Sequence, residues 1–189
     1  SDRLNNSVKY SGEFNGFNLR LMHGFGEVTG NSGASTSTGV GLGYKAGKLQ
    51  LSAAHQSFSN NTDTLDLRGH VLGAAYVLPG DIRLAGIYGR SEADTSATAR
   101  TRLRTLGLGT TVPVGKKVDV TLAHYRVTRE RSARADDGYG RTVAFVEYKL
   151  SRRSVTYLEM DHTRWGGNFQ GAANKPRATG VGIGMRHSF

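Results

Sequence analysis

Residues 8–23 decide the fold: they read VKYSGEFNGFNLRLMH, two alternating runs joined by Asn15-Gly16. Asn-Gly is a strong hairpin signal, because a type I′ turn needs positive φ at both central residues. Folding the chain about this turn pairs Tyr10 with Leu21 on an apolar face and leaves Arg20 on the opposite, polar face. A pattern with one apolar and one polar face predicts an antiparallel hairpin with a single register.

Four further tight turns repeat this pattern. Ala46-Gly47 predicts a hairpin in which Tyr44 meets Leu49. The other three turns are predicted at 79–81, 115–117 and 151–154. Longer polar connections separate the hairpins, at roughly 27–37, 57–64, 91–99, 130–140 and 166–177. Short and long connections therefore alternate, which predicts eleven antiparallel strands in one domain.

The composition excludes several classes of protein. The chain has 189 residues, a net charge of +10, 37% apolar residues and no cysteine. Without cysteine there is no disulfide scaffold and no thiolate zinc site. No stretch approaches the ~18 consecutive apolar residues of a membrane helix. The first residues lack the apolar core of a secretory signal, so any such signal is expected to have been removed. Two classes of protein remain compatible with this composition: a nucleic-acid-binding protein and a β-barrel with a water-filled interior.

The last strand favours the barrel. Val181, Ile183 and Met185 alternate there with glycines and with Arg186. Glycine on the polar face keeps a strand slim where it lines a channel, but weakens a strand that packs a core. Aromatic residues are expected in two bands near the ends of the strands, as in the aromatic girdles of an outer-membrane barrel.

Four segments resemble, in order, those of one family. Residues 6–10 followed by 14–17 (NSVKY, FNGF) resemble the hairpin after the family's constriction loop, and 23–27 (HGFGE) resemble its YGFGE segment. Residues 148–153 (YKLSRR) resemble its YxLSKR turn, and 182–189 (GIGMRHSF) its terminal GxRHxF strand. The whole chain thus resembles the C-terminal part of the trimeric general porins of Gram-negative outer membranes, of the β-proteobacterial and neisserial type.

This resemblance implies an all-β, antiparallel transmembrane β-barrel of sixteen strands, of which the chain supplies the last eleven. Residues 1–189 would form a single barrel domain that is incomplete on its N-terminal side, since bacterial barrels close with an even number of strands. It also implies a homotrimer in the outer membrane of a Gram-negative bacterium, in contact with lipid and lipopolysaccharide. Phe189 would be part of the signal read by the barrel-assembly machinery.

Charged side chains on the strands are expected to face the channel, because lysine or arginine facing lipid at mid-membrane costs ~2–4 kcal/mol. By strand parity the pore-lining set is Lys9, Arg20, Arg83, Asp119, Glu147, Lys149, Glu159 and Arg186. For Glu159 this requires an uneven turn before the strand. Lys9 and Arg20 are the expected constriction residues; alternatively they solvate the wall or pair with Glu13 and Glu147. Cations outnumber acids in the set, which predicts passive diffusion of small, preferentially anionic solutes.

Many further cations lie near the long connections: Arg90, Arg100, Arg102, Arg104, Arg126, Arg129, Arg131, Arg134, Arg141, Arg164, Lys175 and Arg177. Fixed charges at a channel mouth concentrate counter-ions. These cations could also bind the phosphates of lipopolysaccharide, or form an ordinary solvated surface.

Other functions have weaker support. The alternative, a soluble basic β protein that binds nucleic acid or other polyanions, lacks aromatic residues interleaved with the basic ones. The glycine run 39–43 lies inside a predicted strand, with no helix after it to hold a phosphate. Asp161 and His162 are neighbours on a strand and face opposite sides, so they cannot form a catalytic dyad. Asp136-Asp137 and residues 60–63 could hold a divalent cation, but no cofactor and no enzymatic activity are predicted.

Overall fold

The computed structural model describes residues 6–171 and 174–188, most of which form β-strands. The strands are β1 (Ser7–Phe14), β2 (Phe17–Gly24), β3 (Ser37–Ala46), β4 (Leu49–Ser59), β5 (Asp66–Val77), β6 (Arg83–Asp94), β7 (Arg100–Val114), β8 (Val118–Arg131), β9 (Arg134–Lys149), β10 (Ser154–Gly166) and β11 (Arg177–His187). A short 3-10 turn, Pro79–Asp81, separates β5 from β6. In the described part of the chain, no helix has the length and apolar character needed to cross a membrane.

The eleven strands form one sheet in which each strand neighbours the next along the chain. The registers defined for β1 to β4 and for β9 to β11 are all antiparallel. The expectation of eleven sequential antiparallel strands is therefore confirmed. The described residues fall into two compact units. The first contains the residues up to 74 with 88–104 and 129–135, and the second contains 75–87, 105–128 and the residues from 136 onward.

The first hairpin has the predicted register. Tyr10 pairs with Leu21, and every predicted pair from Val8 to Phe14 is present. Asn15 and Gly16 form the turn with φ of 47° and 82°. Positive φ at both central positions is what a type I′ turn requires, so the local signal was sufficient here.

The second hairpin keeps its predicted faces but not its predicted register. Tyr44 pairs with Leu51 rather than with Leu49, a shift of two residues. The reason is the turn, which consists of Gly47 and Lys48 with glycine first at φ 55°. Glycine at the first central position is characteristic of a type II′ turn. Because the shift is even, every side chain stays on the face predicted for it.

The long connection predicted at 130–140 is wrong. Strand β8 continues to Arg131 and β9 begins at Arg134, so that only Ser132 and Ala133 lie between them. The sequence there is polar on both faces and carries no alternation, although the backbone continues to form strand hydrogen bonds. Arg134, taken from the sequence as a loop residue, is therefore the first residue of a strand.

Apolar side chains are exposed on this sheet instead of packed in a core. Among the described residues the buried apolar ones are Ala34 and Val127, whereas Ile183 is 85% exposed and Phe14 is 74% exposed. We call the side that carries them the apolar face. It includes Val8, Tyr10, Phe14, Leu21, Leu42 and Leu51 in the first unit, and Val146, Leu158, Met160, Val181, Ile183 and Met185 in the second. Monomeric soluble proteins rarely expose so large an apolar surface.

The opposite side of the sheet, the polar face, also carries aromatic residues, so the expectation of aromatics confined to two lipid-facing bands is wrong in part. Tyr148 lies on the apolar face, but Tyr157 and Trp165 lie on the polar face, as the pairing of β9 with β10 shows. The Tyr157 ring covers Gly184 of β11 and stacks on Phe145 at 5.3 Å. Glycine on this face therefore provides room for an aromatic ring.

The first turn allows a test with a matched control. Gly16→Ala is expected to lower the thermal midpoint of the folded protein by a few degrees more than Gly30→Ala does. Gly16 and Gly30 have φ of 82° and 81°, so both alanines have the same backbone strain of ~1–2 kcal/mol. At Gly16 the new Cβ would also collide with the carbonyl oxygen of Lys45, whereas at Gly30 nothing lies within 4 Å. Heat-dependent gel mobility in detergent measures the midpoint, and equal shifts would contradict the steric explanation.

Candidate functional site

The polar face of the first unit carries Lys9 on β1 and Arg20 on β2. Lys9 pairs with Met22 and Arg20 with Ser11, so the two cations are diagonal neighbours, ~7–8 Å apart. Glu13, which pairs with Asn18, is the other diagonal neighbour of Arg20. Both are exposed, and neither takes part in an ion pair within the described residues. Gly41 lies beside Arg20 on β3 and adds no side chain to this part of the face. Two cations and one acid therefore share this part of the face, with one net positive charge and no ion pair among them within the described residues.

In the second unit, four of the predicted pore-lining residues form two ion pairs. The Lys149 Nζ lies 2.6 Å from the Asp119 Oδ2, and the Arg186 Nη2 lies 3.3 Å from the Glu147 Oε1. Arg186 reaches Glu147 across β10, which lies between their two strands. Such partly exposed ion pairs contribute only ~0–1 kcal/mol to stability. Their main consequence is that they neutralise charge on the polar face.

Two further residues of the predicted pore-lining set, Glu159 and Arg83, belong to this unit. Glu159 pairs with Phe145, on the same face as Glu147, because the five residues between the paired Lys149 and Val155 supply the uneven turn that the prediction required. Within the described residues Glu159 forms no ion pair. Arg83 of β6 lines a cavity together with residues of β7 and β8. This cavity also contains two threonine hydroxyls 2.9 Å apart.

The polar face carries a further ion pair, which strand parity alone does not predict. The Arg141 Nε lies 3.2 Å from the Asp161 Oδ1. The sequence places Arg141 among the cations near the long connections, because it predicts that β9 begins later than Arg134. Asp161 had been considered only beside His162, which lies on the other face and hydrogen bonds with Thr179 at 2.8 Å. The register of β9 against β10, which the sequence alone does not fix, would have revealed the pair.

The remaining candidates do not form a second site. The glycine run 39–43 lies within β3, as predicted. Within residues 6–171 and 174–188, no group of three or more histidine, cysteine or acidic residues could hold a metal ion. The Asn60 side-chain oxygen accepts backbone hydrogen bonds from Thr62, Thr64 and Leu65 and so closes its own loop. Phe189 lies outside the described residues.

The charges on the polar face differ between the two units. The first unit carries the cations Lys9 and Arg20 and the acid Glu13, which leaves one net positive charge on this hairpin. In the second unit the charges of the three ion pairs sum to zero, and so do those of Arg83 and Glu159. An exposed surface with uncompensated positive charge attracts anions and raises their local concentration.

A sequential antiparallel sheet with an exposed apolar face and a charged opposite face is the wall of a transmembrane β-barrel. Residues 1–168 match the model of the Gram-negative porin family, and the chain belongs to that family. The protein is located in the outer membrane. Among curated protein sequences the chain has no significant match.

Several solved structures share this fold. OmpT of Vibrio cholerae, an outer membrane protein folded in vitro, has a TM-score of 0.79 at 18% identity, over 96% of this chain and 63% of that one. The anion-selective porin from Comamonas acidovorans has a TM-score of 0.78 at 22% identity, over 98% and 60%. The trimer form of OmpT has a TM-score of 0.75 at 17% identity, over 96% and 64%. The chain thus spans less than two thirds of the length of each.

Proposed function

We propose that this chain forms part of the wall of an outer-membrane porin, a water-filled channel for passive diffusion of small hydrophilic solutes and ions. The exposed apolar face carries this proposal, since side chains such as Ile183, at 85% exposure, need lipid beside them. In this arrangement the polar face lines the channel. The protein has no catalytic step in this function, and it needs no cofactor.

The proposed channel lining consists of the polar-face charges Lys9, Arg20, Arg83, Asp119, Glu147, Lys149, Glu159 and Arg186. We also propose a preference for anions, which the unpaired Lys9 and Arg20 support. The anion-selective porin from Comamonas acidovorans, with 22% identity, shares the fold and is consistent with this preference.

The proposal extends to the assembly. We place residues 1–189 in one barrel domain and expect a homotrimer, an arrangement that one of the similar structures has. Lipid and lipopolysaccharide surround the apolar face in this proposal, and the barrel-assembly machinery inserts the protein.

A planar bilayer made of phospholipid tests the function. The native protein is expected to add stepwise conductance and, under a salt gradient, to give a reversal potential of anion-selective sign. The selectivity should fall as salt rises, because the screening length shortens from ~30 Å at 0.01 M to ~3 Å at 1 M. Absence of conductance would overturn the channel, and a cation-selective sign would overturn the proposed preference.

A further inference from the structure

A cluster of charges at the ends of three strands is not explained by a channel. We call it the arginine cluster: Arg90 and Glu92 on β6, Arg100, Arg102 and Arg104 on β7, and Glu130 on β8. All six residues belong to the first unit. Four cations and two acids give the cluster a net charge of +2.

The two glutamates hold the arginines in place. The Arg102 Nε donates to the Glu92 Oε1 at 2.7 Å, and its Nη1 donates to the Glu130 Oε2 at 2.9 Å. The Arg104 Nη2 lies 2.9 Å from the other Glu130 oxygen, and Arg90 also pairs with Glu92. Each carboxylate thus contacts at least two arginines, which fixes the guanidinium groups in a row before any ligand arrives.

The arginines are more accessible than the acids that hold them. The glutamate side chains are 21% exposed, whereas those of Arg90, Arg104 and Arg100 are 40%, 48% and 59% exposed. Each guanidinium has five N–H donors, more than its contacts with carboxylates use. The accessible surface of the cluster is therefore cationic and can still donate hydrogen bonds.

Strand alternation places the cluster on the apolar face. Arg102 and Arg104 have the same parity on β7 as Leu106 and Leu108, which are 52% and 64% exposed. Because Arg102 contacts Glu92 of β6 and Glu130 of β8, these two glutamate side chains lie on the same side of the sheet as Arg102. These arginines therefore belong to the side of the sheet that faces lipid, and not to the channel lining.

The distance of the arginine cluster from the tight-turn end of β7 is about the height of the apolar band of an outer-membrane barrel. Arg104 lies ten residues along β7 from Val114, where that strand ends at a tight turn. At ~3.4 Å per residue and a tilt of ~40°, ten residues rise ~26 Å. The apolar band of an outer-membrane barrel is ~25 Å tall, so the arginines begin where the band ends.

We propose that the arginine cluster binds the phosphate groups of a glycolipid in the outer leaflet, lipopolysaccharide. Guanidinium groups match phosphate with paired hydrogen bonds, and a preformed row of them can contact phosphates on a lipid lying beside the strands. This inference rests on the proposed position of the protein in the membrane. It assigns a lipid site on the outer wall, separate from the passage of solutes.

Binding of fluorescent lipopolysaccharide to the native protein in detergent tests the proposal. Arg100→Gln/Arg104→Gln is expected to weaken binding by about tenfold or more, because it removes two charge-assisted contacts. Arg152→Gln/Arg153→Gln, which removes the same charge from the turn between β9 and β10, is expected to change it little. Lipopolysaccharide from which the phosphates have been removed should bind wild type and both variants equally. Should Arg100→Gln/Arg104→Gln fail to fold, Arg104→Gln alone provides the comparison.

Two results would overturn the site. One is an equal loss of binding in both double variants, which would indicate general charge attraction. The other is dissociation of the oligomer in Arg100→Gln/Arg104→Gln with lipopolysaccharide binding unchanged, which would assign the cluster to contacts between copies. Conductance in the phospholipid bilayer distinguishes a failure of this inference from a failure of the proposed channel. If Arg100→Gln/Arg104→Gln conducts and shows no selective loss of lipopolysaccharide binding, the lipid site alone is overturned. If the wild-type protein does not conduct, the channel is overturned.

Discussion

Replacing Lys9 and Arg20 together by glutamate is expected to move the reversal potential of the native channel toward cations, with a several-fold to hundredfold change in the permeability ratio. The two residues are diagonal neighbours on the polar face and form no ion pair within the described residues. Opposite unit charges 4 Å apart attract by ~1 kcal/mol in water and by ~4 kcal/mol at an effective dielectric of 20. A narrow aqueous channel lies between these limits, and the double variant turns attraction of anions into repulsion.

A single variant provides the matched control for this result. Arg20→Glu and Arg134→Glu change the charge by the same amount, but Arg134 is an exposed residue at the start of β9. Arg20→Glu is expected to shift the reversal potential more, measured in a planar bilayer under a salt gradient. Equal shifts would mean that total charge sets the selectivity, and that Arg20 has no special position in the channel.

Deleting Phe189, or replacing it by aspartate, is expected to lower the yield of folded outer-membrane protein several-fold. In the sequence, Phe189 follows the segment whose apolar residues Val181, Ile183 and Met185 are the most regularly alternating of the chain. From the resemblance of residues 182–189 to the family's GxRHxF strand, we propose that this aromatic residue is part of the assembly signal. A strand that is not recognised leaves the chain unfolded and open to proteolysis, which reduces its abundance.

Ser188 provides the control for the terminal residue. Ser188→Asp adds the same charge one position earlier and is expected to leave most of the yield intact. Quantification of the heat-modifiable folded form in isolated outer membranes measures both variants. Equal yields for the Phe189 and Ser188 variants would contradict a role for Phe189 in assembly.

The strands could be predicted wherever one face was apolar and the other polar. The hairpin around Asn15-Gly16 was predicted to the residue, because turn chemistry and alternation both specify the same register. At Gly47 only the alternation of apolar and polar residues was informative. Two registers that differ by two residues, with Tyr44 opposite Leu49 or opposite Leu51, agree with that alternation equally well. Between Arg131 and Arg134 the alternation is absent, because side chains beyond the apolar band need not be apolar on either face, so the sequence could not reveal those strand ends.

For the charged residues of the candidate site, the sequence predicts the face of the sheet on which each lies, but not the residue with which each forms an ion pair. Parity placed Lys149 and Asp119 on one face, but their ion pair depends on which residues of neighbouring strands are opposite each other. For the same reason the pair of Arg141 and Asp161 was missed. In the sequence, the arginine cluster is recognisable only as several arginines near the long connections. Its two glutamates, on β6 and β8, become its partners through strand pairing that connects distant parts of the chain.

The alternation that produces the exposed apolar face has a consequence for how the protein reaches its destination. As a linear polymer the chain is hydrophilic, with a mean hydropathy of −0.42, because polar residues and glycines are interspersed among the apolar residues along the strands. A protein-conducting pore in the inner membrane retains long continuous apolar segments and would let this chain pass. The apolar face forms only when the strands pair, because pairing places apolar side chains on one side of the sheet and polar side chains on the other. We therefore expect insertion to accompany sheet formation, and we expect the unfolded chain to pass through an aqueous compartment without stopping in the wrong bilayer.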